Sequence, residues 1–260
     1  MSLLQRKPIE LSLKVWTFAI SCGICAGAVF GSPSGLGSVE CPNEEFSIAV
    51  VGDSLADGLW GSTYRAFSNC SSVNVYRITE VSDGLTRTPP LEWSARLDQA
   101  ADSFNLVIVQ LGANDIRNIR EGSQRFVFGS PEWFDTYGSR AQILWDELNK
   151  LSQTVIWVGL PIVGSDTLQS QYSQVTEVQQ AIVLANGGIF YDIRELTMFG
   201  SEAFVMHALW DGELVQMRAP DRIHFTEAGY DAVSSVLTQH LINASREADK
   251  DAILNSVELQ

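Results

Sequence analysis

Phe46-Ser47-Ile48-Ala49-Val50-Val51 runs without a charge into Gly52-Asp53-Ser54-Leu55. A continuous apolar run of this length is the pattern of a β-strand buried on both faces, and such strands belong to parallel sheets covered by helices. Gly52 permits a tight turn where the strand ends. Ser54 then stands at a strand-to-helix junction. There its hydroxyl is exposed and its N–H lies near the positive end of the following helix. A plainer role is also open to it, that of capping a helix which begins near Ala56.

Outward from this stretch, short apolar runs alternate with longer amphipathic ones. Further strands are expected at Val73–Ile78, Leu106–Leu111, Val155–Leu160 and Ile189–Ile193. Helices are expected at Ala56–Ser68, Leu91–Ser103, Tyr137–Ser152, Ser173–Ala185 and Thr226–Ser245, the last with Thr226 as N-cap. This alternation predicts an α/β fold, a parallel sheet with helices on both faces. Ligands of such sheets sit outside the carboxyl ends of the strands. Asn118–Thr136 is long for a connection and rich in glycine and aromatics, as binding loops or lids often are.

Two more segments fall at that edge. The third strand runs into Leu111-Gly112-Ala113-Asn114-Asp115. Asn114 offers a neutral amide that can stabilise an oxyanion without titrating, or it simply closes a turn. Near the C-terminus stands Asp221-Arg222-Ile223-His224. An Asp three residues before a His can reach its Nδ1 within one turn, which leaves Nε2 free as a base. The alternative is a solvated ion pair at a helix start.

The combination resembles the SGNH, or GDSL-type, hydrolases. Gly52-Asp53-Ser54-Leu55 is similar to their first block, Gly112-Ala113-Asn114-Asp115 to the third and Asp221-Arg222-Ile223-His224 to the fifth. Gly84, in Ser82-Asp83-Gly84-Leu85, matches the single glycine of the second block. Ile116-Arg117, Trp157-Val158-Gly159-Leu160-Pro161 and His224-Phe225-Thr226-Glu227-Ala228-Gly229-Tyr230 further resemble a bacterial periplasmic subgroup catalogued as a domain of unknown function. The resemblance implies a three-layer α/β/α sandwich around a flavodoxin-like, five-stranded parallel sheet. It also implies a serine esterase. Ser54 would be the nucleophile, His224 the acid/base and Asp221 its orienter. The N–H groups of Ser54 and Gly84 and the Asn114 side chain would form the oxyanion hole. Acyl esters, acetyl groups on envelope or extracellular polysaccharide among them, are the expected substrates. An O-acetyltransferase with the same triad and a catalytically silent glycan-binding module are the competing readings.

The chain ends divide differently. Arg6, Lys7 and Lys14 precede an uncharged run from Val15 to Phe30, shorter than the ~20 apolar residues of a membrane span. With Ala26-Gly27-Ala28 behind it, this reads as a secretory signal over residues 1–28, or else as an uncleaved anchor. Residues 29–44 read as a linker, 45–246 as the hydrolase domain and 247–260 as a polar tail. Export would make the protein periplasmic or secreted. The net charge of −14, from 17 basic and 31 acidic residues, argues against nucleic-acid binding. Cys41 and Cys70 would remain after cleavage and are expected to pair, the alternative being two buried thiols.

Other residues carry weaker signals. No nucleotide loop or metal-ligand spacing is present, so no cofactor and no metal are expected. His207 and His240 are given no catalytic role. Trp60, Trp93, Trp133 and Tyr137 could stack on sugars but equally fill a core. Arg117, Arg120 and Arg125 could receive an anionic group, but are expected to pair with surface carboxylates. Asn69 and Asn243 sit in glycosylation patterns that matter only in a eukaryotic secretory pathway.

Overall fold

The structure is a computed structural model that describes residues 41–237. The expected signal, most of the linker, His240, Asn243 and the tail lie outside the described residues.

The apolar runs form one five-stranded sheet: β1 (Phe46–Gly52), β2 (Val73–Thr79), β3 (Phe104–Gln110), β6 (Ser152–Val158) and β7 (Ile189–Tyr191). Every pairing is parallel, in the order β2-β1-β3-β6-β7. This is the flavodoxin-like order, with its reversal point between β1 and β3. Ala49, Val50 and Val51 of β1 and Val107 and Val109 of β3 are fully buried, as helices on both faces require. The helices are α1 (Ser54–Ala66), α2 (Pro90–Asp98), α3 (Pro131–Leu151) and α4 (Asp166–Ala185), and residues 227–237 are helical. Helix α1 packs on β1 and β2 and against the closing helix, where Tyr230 lies over Gly58 and Ser62 bonds Ser234. Helix α3 packs against both α2 and α4. The three-layer α/β/α sandwich is therefore present.

Two helices start earlier than the apolar periodicity suggests. Ser130 caps α3 by accepting from Trp133 N–H, with Pro131 at the first helical position. Ser165 caps α4 in the same way, through Leu168 N–H. Both are ordinary start signals that lie upstream of the amphipathic pattern.

Residues 118–136 are not an open loop. They hold a hairpin of β4 (Ile119–Glu121) and β5 (Gln124–Phe126), closed by Gly122-Ser123, and then the first turns of α3. Trp133 is fully buried, stacks on Tyr137 and donates its indole N–H to Arg117 O at 2.7 Å. Trp93, Trp133 and Tyr137 are thus core residues and unavailable to a sugar, while Trp60 is partly exposed beside Arg77. A second hairpin, β8 (His207–Trp210) with β9 (Glu213–Gln216), precedes the Asp221–His224 turn.

Cys41 and Cys70 form a disulfide across a separation of 29 residues. It fastens the chain ahead of β1 to the α1–β2 connection, where Ser72 Oγ also donates to Pro42 O at 2.7 Å. The chain-entropy argument gives such a loop about 3–4 kcal/mol. Cys41→Ser/Cys70→Ser is expected to lose that much in a denaturant titration, and an unmoved midpoint would show that the bridge does not constrain the unfolded chain.

Candidate active site

The loops at the carboxyl ends of β1 and β3 flank the reversal point of the sheet. Gly52 takes φ +147°, and a Cβ there would collide with Gln110 O of the neighbouring strand. This close approach turns the chain straight into α1. Asp53, not Ser54, is the helix cap: its Oδ1 accepts Leu55 N–H at 2.9 Å. Ser54 is the first helical residue, so its N–H is one of those a helix leaves without an internal partner.

The Asp221–His224 turn is built around one carboxylate. Asp221 Oδ1 accepts the N–H groups of Ile223 at 2.9 Å and His224 at 3.0 Å. Its Oδ2 meets His224 Nδ1 at 2.7 Å. Arg222 closes the turn at φ +63°, an unfavourable conformation for a side-chain-bearing residue. Across the cleft, His224 Nε2 lies 2.7 Å from Ser54 Oγ. A hydroxyl, a base within hydrogen-bond reach and a carboxylate that fixes the base's tautomer are therefore in line. Partial burial pushes the Asp221 carboxyl up. The hydrogen bonds from Ile223 and His224 outweigh it and hold the group below the ordinary Asp value.

Asn114 completes the edge. Its Nδ2 is buried and has no hydrogen-bond partner among the described residues. An unpaired buried donor is costly, and it is what a site for a developing negative charge requires. Gly84 N–H donates to Asp83 Oδ1 at 2.7 Å, so in the resting protein it has a partner. Its lack of a side chain has another reason, since a Cβ would strike the Asp115 carboxylate.

Sequence reasoning missed the groups that hold these loops together. Asp53 Oδ2 accepts Gly112 N–H at 3.2 Å and Ala113 N–H at 3.0 Å, tying the Ser54 turn to the Asn114 turn. Asp115 accepts from Leu85 N–H, from Thr86 N–H and Oγ1, and from Tyr137 Oη, tying the Asn114 turn to the Gly84 turn. Arg218 is fully buried, and among the described residues it is in no ion pair. Its guanidinium donates to Ile162 O at 2.7 Å, Thr197 O at 3.0 Å and Ile223 O at 3.0 Å, and lies 3.8 Å from the centre of the Phe225 ring. It braces the His224 turn against two other loops. The only available signal was position: each Asp stands inside a motif block, and Arg218 lies three residues before Asp221.

Burial lifts Asp53 from its ordinary value of 3.8 to about 7, with Asp115 adding repulsion and the three N–H donors opposing. The folded protein then holds a proton that the unfolded chain gives up above pH ~4. Folding takes up this proton between about pH 4 and 7, so the stability due to Asp53 falls as pH rises through that window. Denaturant midpoints measured across it are expected to fall with pH, and Asp53→Asn to flatten the slope. An equal slope in both proteins would remove the argument.

Arg117, Arg120 and Arg125 do not pair with carboxylates as expected: among the described residues none of the three is in an ion pair. His207 lies exposed on β8.

A family described as "Protein of unknown function (DUF459)" matches residues 47–240. No curated protein matches the chain. Among solved structures, a lipase/acylhydrolase from Enterococcus faecalis shares 18% identity at a TM-score of 0.52, over 75% of this chain and 94% of its own. A catalytic mutant of Axe2, an acetylxylan esterase from Geobacillus stearothermophilus, shares 14% identity at 0.53, over 78% and 96%. LAE5, an alpha/beta hydrolase enzyme from the metagenome of Lake Arreo, Spain, shares 12% at 0.50, over 78% and 97%. These likenesses show a common fold.

Proposed function

The chain belongs to the DUF459 family, and from that membership, the shared fold and the geometry at Ser54 we propose that it is a serine esterase that cleaves acyl esters. The observation that carries this reading is the continuous line Ser54 Oγ, His224 Nε2, His224 Nδ1, Asp221 Oδ2, with 2.7 Å at both hydrogen bonds.

In this reading Ser54 Oγ attacks the ester carbonyl as His224 Nε2 takes its proton. Asp221 stabilises the imidazolium and stays ionised. The negative charge on the carbonyl oxygen falls to Ser54 N–H and Asn114 Nδ2. His224 returns the proton to the departing alkoxide, which leaves an acyl-Ser54 ester. Water, deprotonated by the same nitrogen, releases the acid and restores the hydroxyl.

We further propose that the enzyme is exported, with residues 1–28 as signal and 45–246 as the working domain. The Cys41–Cys70 bridge supports this, since such bridges persist in oxidising compartments. Acetyl groups on polysaccharide are the proposed substrates, by analogy with the acetylxylan esterase of the same fold.

Fluorophosphonate labelling of the full chain tests the reading. The expected result is one adduct, on Ser54, that blocks release of acetate from para-nitrophenyl acetate. No adduct at Ser54, or full turnover by Ser54→Ala, would overturn it.

A further inference from the structure

Among the described residues the three arginines after Asn114 stay without carboxylates, in a chain that carries 31 acidic residues. Arg120 and Arg125 are directly opposed across the β4–β5 hairpin, and both are exposed. Like charges in that position repel. Glu121 is their neighbour on the hairpin, yet its Oε1 is taken by Arg140 Nη2 at 3.0 Å. Arg117 donates its Nε to Asn114 O at 2.8 Å, and its two terminal nitrogens meet no acceptor among the described residues. One guanidinium anchored on the Asn114 carbonyl therefore keeps both terminal nitrogens without an acceptor among the described residues.

The hairpin is tied to the loops around the site through Arg140, and it follows two residues after Arg117, whose Nε is bonded to Asn114 O. Arg140, which binds Glu121, also donates Nη1 to Leu85 O at 2.5 Å, and Leu85 N–H in turn bonds Asp115. The arginine pair thus sits on a hairpin that one side chain, Arg140, ties to the Leu85 backbone. Screening makes the local charge count: at physiological salt the field of distant carboxylates fades beyond ~8 Å. A guanidinium without a protein partner is well suited to bidentate capture of carboxylate or phosphate oxygens.

We propose that Arg117, Arg120 and Arg125 form a binding strip for an anionic glycan, a polymer with oxyanion groups spaced along it, held so that an ester on the same chain reaches Ser54. This names a substrate class and rests on the esterase reading for its last clause. The strip itself is a binding site and is tested by binding.

The experiment measures fluorescence polarisation of a labelled oligogalacturonate, with a labelled neutral xylo-oligosaccharide beside it and short-chain polyphosphate as competitor. The full chain is expected to bind the oligogalacturonate and not the neutral sugar. Binding should weaken sharply at about 1 M salt, where the screening length is about 3 Å. Arg120→Glu/Arg125→Glu is expected to weaken it at least tenfold. Arg120→Gln/Arg125→Gln, which relieves the repulsion within the hairpin, is expected to weaken it at least threefold while keeping the melting temperature. Polyphosphate that displaces the probe at lower concentration than unlabelled oligogalacturonate assigns the strip to phosphate, and the reverse order to carboxylate. Equal affinity for the neutral sugar, or undiminished binding by both double variants, overturns the proposal. Turnover of para-nitrophenyl acetate by the wild type separates the two readings. Turnover without anion binding removes only the strip, and anion binding without turnover removes only the esterase.

Discussion

His224→Ala is expected to lower kcat for a short aryl ester by about 10⁴–10⁶-fold while the protein stays folded. A serine hydroxyl is a poor nucleophile at neutral pH and depends on a base that takes its proton as the bond forms. His224 Nε2, at 2.7 Å from Ser54 Oγ, is the only such base in hydrogen-bond contact with it among the described residues. The His224 side chain is 34% exposed, so its truncation opens no core cavity. Its loss should move the unfolding midpoint by less than about 1 kcal/mol. Two further readouts separate chemistry from packing. KM should change little, and added imidazole should restore part of kcat by filling the vacated position. A kcat within tenfold of the wild type would remove His224 from the mechanism.

Asn114→Ala is expected to cost about 10²–10³ in kcat, or roughly 2.7–4 kcal/mol of transition-state stabilisation. In the resting protein Asn114 Nδ2 is buried and unpaired. A group in that state gains its full hydrogen bond only when charge develops opposite it, so the benefit is confined to the transition state. The substitution removes an unsatisfied donor from the folded protein. Stability should therefore hold or rise slightly while kcat falls and KM stays near its original value. With Gly84 N–H bonded to Asp83 in the resting protein, the proposed mechanism rests the oxyanion on Asn114 and Ser54 N–H. The effect should accordingly lie toward the upper end of the range. A change below fivefold would place the oxyanion elsewhere.

How far the sequence reached depended on how local each interaction is. The sheet was legible because its buried strands are short continuous apolar runs, and Phe46–Gly52 is almost uninterrupted. The approach of Ser54, His224 and Asp221 was legible because each sits in a compact block at the strand-end edge. The two hairpins were not, since strands of only three and four residues fall below any periodic signal. The occupied amide of Gly84 depends on one rotamer of Asp83, which no sequence pattern encodes. The arginines after Asn114 were expected to find carboxylates because the chain is rich in them. Composition does not say which faces the acids occupy, and the nearest, Glu121, turns to Arg140. Arg218 was invisible for a related reason: its acceptors are backbone carbonyls at 162, 197 and 223, which lie apart in the chain.

That last arrangement has a consequence for how the molecule breathes. The loop after β6, the turn at Leu196–Met198 and the His224 turn have little regular structure of their own, yet they share one guanidinium. Cross-bonds strengthen the link, with Ile162 N–H on Thr197 Oγ1 and Gly164 N–H on Arg222 O. Opening any one of them strands charge in an apolar interior, so they should open together. In hydrogen–deuterium exchange the amides of Ile162, Gly164, Thr197 and Arg222 should then behave as one cooperative unit with a common opening free energy, rather than as three loops that fray independently.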